Sequence, residues 1–226
     1  GTTPIALGGL EKWPLTHNWN EYASYFLTED ELMAYQTLDP SFDYIGSAYQ
    51  EGAELFLDHF ERGFYDENLT GIQYNDAVQG FYNGEYGMMI TGSWMYNAMH
   101  SNSPFEVGAI LLPGKRFTTG AGGDLMVVPA RAENKELAYD FIDMNLSEEF
   151  QLRLANFGGV VARQIDFGMI EDPLNRQVNE LYNTIKEKNG FAFFMDWPIP
   201  AFWQEQGAVL ESVLLGQMGI ESGMEQ

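Results

Sequence analysis

The hydrophobic period changes along this chain, and that change limits the fold more than any single motif does. Ala53, Phe56, Leu57 and Phe60 recur at i, i+3, i+4 and i+7, the spacing that lines one face of a helix. Ala77, Val78, Phe81 and Tyr82 repeat the stripe, and Gly63 and Gly84 stand where helix C-caps belong. The period then breaks. Tyr86-Gly87-Met88-Met89-Ile90 is a short apolar run between glycines and reads as a strand buried on both faces. Val107 to Leu112, stopped by Pro113-Gly114, and Leu125 to Val128, stopped by Pro129, read the same way, as does Pro4 to Leu7 near the start.

Helical signals flank these runs. Trp13 to Phe26 has Trp19, Tyr22, Ala23 and Phe26 at helical spacing. Thr28-Glu29-Asp30-Glu31 is a capping-box pattern that opens a further helix. Leu137, Ala138, Phe141 and Ile142 mark another, with Asn134 as its N-cap, and Phe150 to Phe157 the next. Asp172 to Lys188 predicts an exposed helix with Pro173 in its first turn, and Ala201 to Leu215 a last one closed by Gly216. Strands alternating with helices specify an α/β fold.

Charge narrows the partners. The 226 residues include 33 Asp and Glu against 11 Lys and Arg, a formal net charge of -22. Phosphate recognition needs clustered Lys and Arg, so nucleic acid is excluded as a partner. Docking on anionic lipid is disfavoured for the same reason. With 45% apolar and 15% aromatic residues the chain can bury a core, so it is no acidic disordered tail. There is no Cys, which removes disulfides, thiolate metal sites and a Cys nucleophile. The chain opens inside a predicted strand without an initiator Met, which leads us to expect a longer parent, with any targeting signal or membrane anchor upstream.

Catalytic signatures are missing. There is no G-x-S-x-G elbow and no phosphate-binding loop, and Gly120-Ala121-Gly122-Gly123 lacks the third glycine of a dinucleotide fingerprint. His17, His59 and His100 are scattered and read as surface or core positions. An acid pair could serve a glycosidase, but among 33 acids no pair stands apart. No enzyme activity, cofactor or metal is therefore expected.

Aromatic side chains in loops and at helix starts are more telling. Trp94 follows a predicted strand in Ile90-Thr91-Gly92-Ser93-Trp94, on the rim where open α/β sheets bind ligands, with Ser93 near the cap of a following helix. Trp197 lies in the Pro-rich stretch Asp196-Trp197-Pro198, and Trp203 in the first turn of the last helix. An indole face suits the CH-rich face of a pyranose ring, and its N–H remains for a hydroxyl. Plain core packing is the competing reading for each. Gly122 and Gly123 can bring bare backbone close to a ligand, and Asp124 can accept hydrogen bonds from two hydroxyls; a simple flexible loop is the alternative there.

These pieces occur in an order that resembles the C-terminal part of the family 1 extracellular solute-binding proteins, the sugar-binding subunits of ABC importers that include maltose-binding protein. Pro4-Ile5-Ala6-Leu7-Gly8-Gly9 followed by Trp13-Pro14-Leu15 looks like the start of the family's C-terminal lobe. Phe81-x-x-Gly84-x-x-x-Met88-x-Ile90-x-Gly92-Ser93-Trp94 is similar to its best-known stretch. Gly122-Gly123 through Pro129, then Asn134 to Ile142 and Ser147-Glu148-Glu149-Phe150-Gln151, looks like its crossover strand and the helices after it. Pro198-x-Pro200-Ala201-Phe202-Trp203 resembles the start of a late, sugar-contacting helix. The joint order spans nearly the whole chain.

The resemblance implies a two-lobed, hinged fold of the type II periplasmic-binding-protein kind with ligand in the cleft. It implies that residues 1–112 and 168–226 form the C-terminal lobe, and that residues 120–165 cross into an incomplete N-terminal lobe. Trp94 and Trp203 fall on aromatic positions that stack on sugar in the family, and Gly122-Gly123 on a ligand-facing crossover. Trp197 and Asp124 are added on local grounds, and Arg163 lies near the expected return crossing, with a surface role as the alternative. The tyrosine and acid that serve maltose are not matched around Gly8 to Glu11, which argues against maltose itself. The implied activity is non-covalent capture of a carbohydrate by a monomeric extracellular or periplasmic protein, a cell-surface lipoprotein in a Gram-positive source. Its partner would be ABC permease subunits. A non-sugar solute such as a polyamine or peptide on the same fold is the alternative, and an acidic glycosidase fragment a more distant one.

Overall fold

The computed structural model describes residues 2–114, 117–120, 125–194 and 201–225. Its elements run β1 (Thr3–Ala6), α1 (Trp13–Ala23), α2 (Glu29–Gln36), α3 (Ala48–Glu61), α4 (Tyr74–Tyr82), β2 (Tyr86–Met89) and α5 (Tyr96–Asn102). Then come β3 (Thr118–Thr119), α6 (Lys135–Asn145), α7 (Glu148–Asn156), α8 (Pro173–Glu187), β4 (Phe191–Ala192), α9 (Phe202–Leu214) and α10 (Ile220–Met224). β1 pairs with β2 in parallel, Ile5 opposite Met88 and Ala6 opposite Met89. β3 pairs with β4 in parallel, Thr118 opposite Phe191. Parallel pairing needs a crossover between partners, and the helices supply it.

Local chemistry explains the helix ends. The Thr28 hydroxyl accepts the Glu31 N–H while the Glu31 carboxylate accepts the Thr28 N–H, so two otherwise unpaired donors of α2 are satisfied reciprocally. Ser147 caps α7 and Asp172 caps α8 through their side-chain oxygens. Gly63, Gly84 and Gly216 follow α3, α4 and α9 at positive φ, where a Cβ would be strained.

The main core joins α1, α3, α9 and α10. Leu15, Trp19, Tyr22 and Ala23 of α1 pack with Tyr49, Ala53 and Phe56 of α3 and with Leu210 and Leu214 of α9. The Trp19 indole N–H donates to the Tyr49 carbonyl at 2.7 Å, which pins α1 on α3. The helices approach so closely at Gly52 that a Cβ there would lie 2.5 Å from Ala23 Cα. Below α1, the Tyr22 hydroxyl meets His59 Nδ1 at 2.9 Å and the Tyr65 hydroxyl at 2.8 Å. Burial raises the Tyr22 pKa to about 12.

Three expectations need correction. Val107–Leu112 and Leu125–Val128 are not strands; they run without a ladder partner, and Leu125 and Val127 are 89% and 78% exposed. β2 is not buried on both faces, because it belongs to a two-stranded sheet and leaves Met88 in solvent. α8 is amphipathic rather than exposed: Leu174, Val178 and Ile185 turn inward, where Leu174 and Val178 pack with Tyr96. Ser93 does stand near a cap as expected, next to Gly92, the N-cap of the turn Ser93–Met95. Helix α6 buries no residue at all.

Candidate ligand-binding site

The site is built on α1. Its inward stripe, Leu15, Trp19 and Tyr22, enters the core. The adjacent stripe, Trp13, Pro14, His17, Asn18 and Glu21, falls at i, i+1, i+4, i+5 and i+8 and faces a pocket instead. Across from it stand Tyr74 of α4, the stretch Met89 to Gly92 leaving β2, Trp94, Thr119 of β3 and Phe194 just beyond β4. Both sheets thus deliver their carboxyl ends to one place, which is where ligands meet α/β folds.

Aromatic rings dominate. Trp13 and Tyr74 are 4.5 Å apart between centroids and tilted by 52°. Trp94 lies 6.5 Å from Trp13 and 6.1 Å from His17. Phe194 stacks on the His17 imidazole at 4.4 Å. Trp94 remains 54% exposed although it contacts two rings, so a broad indole surface faces outward. The pocket encloses only about 50 Å³. That is room for a water or two, each taking roughly 30 Å³, so a ring-sized ligand lies against this wall rather than inside it.

Polar groups frame the rings. The Tyr74 hydroxyl and the Thr91 hydroxyl are 2.9 Å apart, and Tyr74 N–H donates to the Glu11 carboxylate at 3.0 Å. Glu21 Oε1 accepts the Thr119 N–H at 2.9 Å and so ties α1 to β3. Asn18 is fully buried, with its Nδ2 donating to the Pro14 carbonyl. Burial alone lowers the His17 pKa to about 4, which leaves a neutral imidazole at neutral pH.

The expected site residues fare differently. Trp94 lines the pocket. Trp203 sits half-buried in the first turn of α9 and is not part of this lining. Gly122, Gly123, Asp124 and Trp197 lie outside the described residues. Arg163 is exposed, and its guanidinium donates to the Leu146 carbonyl, away from the pocket. His17, expected as a surface or core position, belongs to the pocket. Sequence reasoning misses Trp13, Asn18, Glu21, Tyr74 and Phe194, although the i, i+4, i+8 spacing of Trp13, His17 and Glu21 is a signal that could have found three of the lining groups.

A larger hollow of about 310 Å³ is lined by Asp30, Glu31, Phe42 and Asp43. Two of its three carboxylates are already engaged, Glu31 by Thr28 and Ala48 N–H groups and Asp43 by Ile45 N–H. It offers no stacking wall like that of α1.

Residues 15–162, more than half of the chain, match the family profile described as bacterial extracellular solute-binding protein. The chain belongs to that family. No curated protein sequence matches it. Among solved structures it is similar to a chitin oligosaccharide binding protein, with 19% identity and a TM-score of 0.74 over 99% of this chain and 58% of that one. It is similar to RafE from Streptococcus pneumoniae in its apo form, with 19% identity and a TM-score of 0.76 over 99% and 59%. A sugar transporter protein from Bacillus licheniformis, solved with stachyose, aligns with 18% identity and a TM-score of 0.67 over 99% and 59%. The solute-binding fold is thus shared, and the chain spans under two thirds of the length of these relatives. The profile describes extracellular proteins, and among the described residues no helix is long and apolar enough to cross a membrane.

Proposed function

We propose that this solute-binding chain forms one wall of a cleft that captures a carbohydrate, without covalent chemistry, for delivery to an ABC permease. The carrying observation is the aromatic wall of Trp13, Tyr74 and Trp94, with Trp94 half in solvent beside Thr91 and Glu21. Flat rings meet the CH face of a sugar, and framing hydroxyl, amide and carboxylate groups meet its hydroxyls. The names of the similar structures, a chitin oligosaccharide binder and a stachyose complex among them, support a sugar rather than another solute.

Residues 1–112 and 168–226 are assigned to one lobe and residues 120–165 to the other. The unburied helix α6 and the exposed Leu125 and Val127 support that assignment, because apolar side chains of this kind ordinarily face another part of a protein. Helix α7 packs on α8, so the assignment rests on α6 and the stretch before it. Hinge closure then shifts the population toward a form in which the second lobe covers the sugar. With one wall alone, binding by residues 1–226 is weak or absent. The proposal includes a monomeric protein, either a cell-surface lipoprotein or a periplasmic one, and no enzymatic activity.

A polyamine is the second reading, favoured by the Glu21 carboxylate beside three aromatic rings. A thermal-shift and calorimetric screen of the full-length protein against oligosaccharides, polyamines and peptides decides. Micromolar binding of an oligosaccharide supports the carbohydrate reading, and binding of a polyamine alone overturns it.

A further inference from the structure

His17 is held by rings and not by hydrogen bonds. Phe194 lies 4.4 Å from its imidazole at an interplanar angle of 27°, while Trp13 and Trp94 meet it edge-on at 5.1 Å and 6.1 Å. These contacts fix the ring and leave both nitrogens free of partners: among the described residues none reaches Nδ1 or Nε2, and burial is the sole influence on its proton. The other two histidines differ. His59 Nδ1 pairs with the Tyr22 hydroxyl at 2.9 Å, and His100 Nε2 lies 3.5 Å from an Asp172 carboxylate oxygen. The ring is half-buried, so its nitrogens, without a protein partner, are left to solvent or to a ligand.

We infer that His17 is a specificity-determining residue of this pocket, hydrogen-bonding through a ring nitrogen to a hydroxyl of a neutral sugar that stacks on Trp94. The inference rests on the carbohydrate reading above and adds the group that tells one sugar from another. Stacking on an indole is tolerant, because most pyranoses offer a CH face. A fixed hydrogen-bonding atom is not tolerant, because a sugar lacking the matching hydroxyl leaves that atom unpaired. A neutral imidazole carries one donor and one acceptor, and a hydroxyl is both, so either tautomer serves. Burial keeps the ring in that neutral form. A protonated imidazole would offer only donors and put a charge among three aromatic rings.

The test is a chemical double-mutant cycle on the full-length protein. Stachyose, a chitin tetrasaccharide and xylotetraose are titrated by calorimetry, followed by the monodeoxy forms of whichever binds tightest. His17→Phe keeps a ring for Phe194 to stack on and removes both nitrogens. The wild type is expected to bind one monodeoxy sugar about tenfold more weakly than its parent, the scale of one lost hydrogen bond. His17→Phe is expected to bind that pair equally and the parent about tenfold more weakly than the wild type does. Discrimination by His17→Phe equal to that of the wild type for every deoxy sugar overturns the inference and leaves the carbohydrate reading intact. A wild type that binds none of the three sugars overturns both. Should His17→Phe fail to fold, His17→Leu takes its place, since it also removes both ring nitrogens; a Leu variant with the wild-type discrimination pattern overturns the inference.

Discussion

The indole of Trp94 folds back over Gly92, so closely that a Cβ on Gly92 would fall inside the ring. Gly92 has φ -82 and ψ 163, an ordinary extended conformation, so the backbone does not demand glycine there. The indole demands it. Gly92→Ala is therefore expected to drive Trp94 out of its position while leaving the fold intact. Calorimetric titration of the full-length variant with its sugar should show affinity lowered by about 1–2 kcal/mol, with the thermal midpoint little changed. Unaltered affinity would mean that the placement of this indole does not matter to the ligand.

Trp94 itself gives the larger effect. It projects from the short turn Ser93–Met95 over Gly92, and among the described residues its ring meets those of Trp13 and His17. Trp94→Ala removes the exposed stacking face without opening the main core, to which the ring does not belong. Sugar affinity of the full-length protein should fall by about 1–3 kcal/mol, the range of a lost aromatic contact. Binding equal to that of the wild type removes Trp94 from the site.

Much of the scaffold is legible in the sequence because its signals are local. Thr28 and Glu31 sit three apart and form the capping box that their spacing announces. Gly63 and Gly84 end helices at positive φ, as a glycine after an apolar stripe suggests. The runs at 107–112 and 125–128 mislead because a strand is defined by a ladder partner, and an apolar run does not reveal whether one exists. Most of the pocket is hidden for a related reason. Trp13, Tyr74, Trp94 and Phe194 come from four separate elements, and their convergence is a tertiary fact. His17 has no histidine near it in sequence, and its true neighbours are rings on other elements. The i, i+4 and i+8 face of α1 does carry a signal, since one stripe holds Leu15, Trp19 and Tyr22 and the next holds groups that can stack or hydrogen-bond.

Gly52 marks a close approach of α1 and α3. A methyl group there would press on Ala23 N and Cα, which are backbone atoms and cannot rotate away. Gly52→Ala would raise helix propensity by about 1 kcal/mol in an open helix. Here overpacking should prevail, and the variant should lose about 1–3 kcal/mol of stability. Urea unfolding measures the difference, and a stabilised variant would show that the helices separate at little cost.

Acid should weaken the fold through His17. Its pKa is lowered to about 4 in the folded chain by burial, from an ordinary 6.5. Its neutral form is therefore the one the fold favours. The associated stability is fully present above about pH 6.5 and declines as pH falls toward 4, because the unfolded chain takes up a proton that the folded chain resists. Below about pH 4 both states are protonated and this loss levels off. The full effect is at most about 3 kcal/mol, since each tenfold drop in proton affinity corresponds to about 1.4 kcal/mol. Urea unfolding of wild type and His17→Phe between pH 7 and 4.5 isolates it, since contributions of His59 and the carboxylates are common to both. Parallel pH profiles for the two proteins would contradict a buried neutral His17.

Helix α6 tests the two-lobe assignment. An isolated helix of its 11 residues is marginal in water, and α6 buries no side chain that would hold it. Leu137, Phe141 and Met144 lie at i, i+4 and i+7 on one exposed apolar face. In residues 1–226 taken alone, its amide hydrogens should exchange nearly as fast as those of an unfolded peptide, while Tyr49 to Phe56 of α3, inside the core, stay protected. In the full-length protein the same face should be covered and the amides of α6 slowed by at least tenfold, a difference of about 1.4 kcal/mol in opening free energy. Hydrogen exchange read by mass spectrometry on both forms gives the comparison directly. Equal, fast exchange of α6 in both would leave its apolar face without a partner and remove the ground for assigning residues 120–165 to a second lobe.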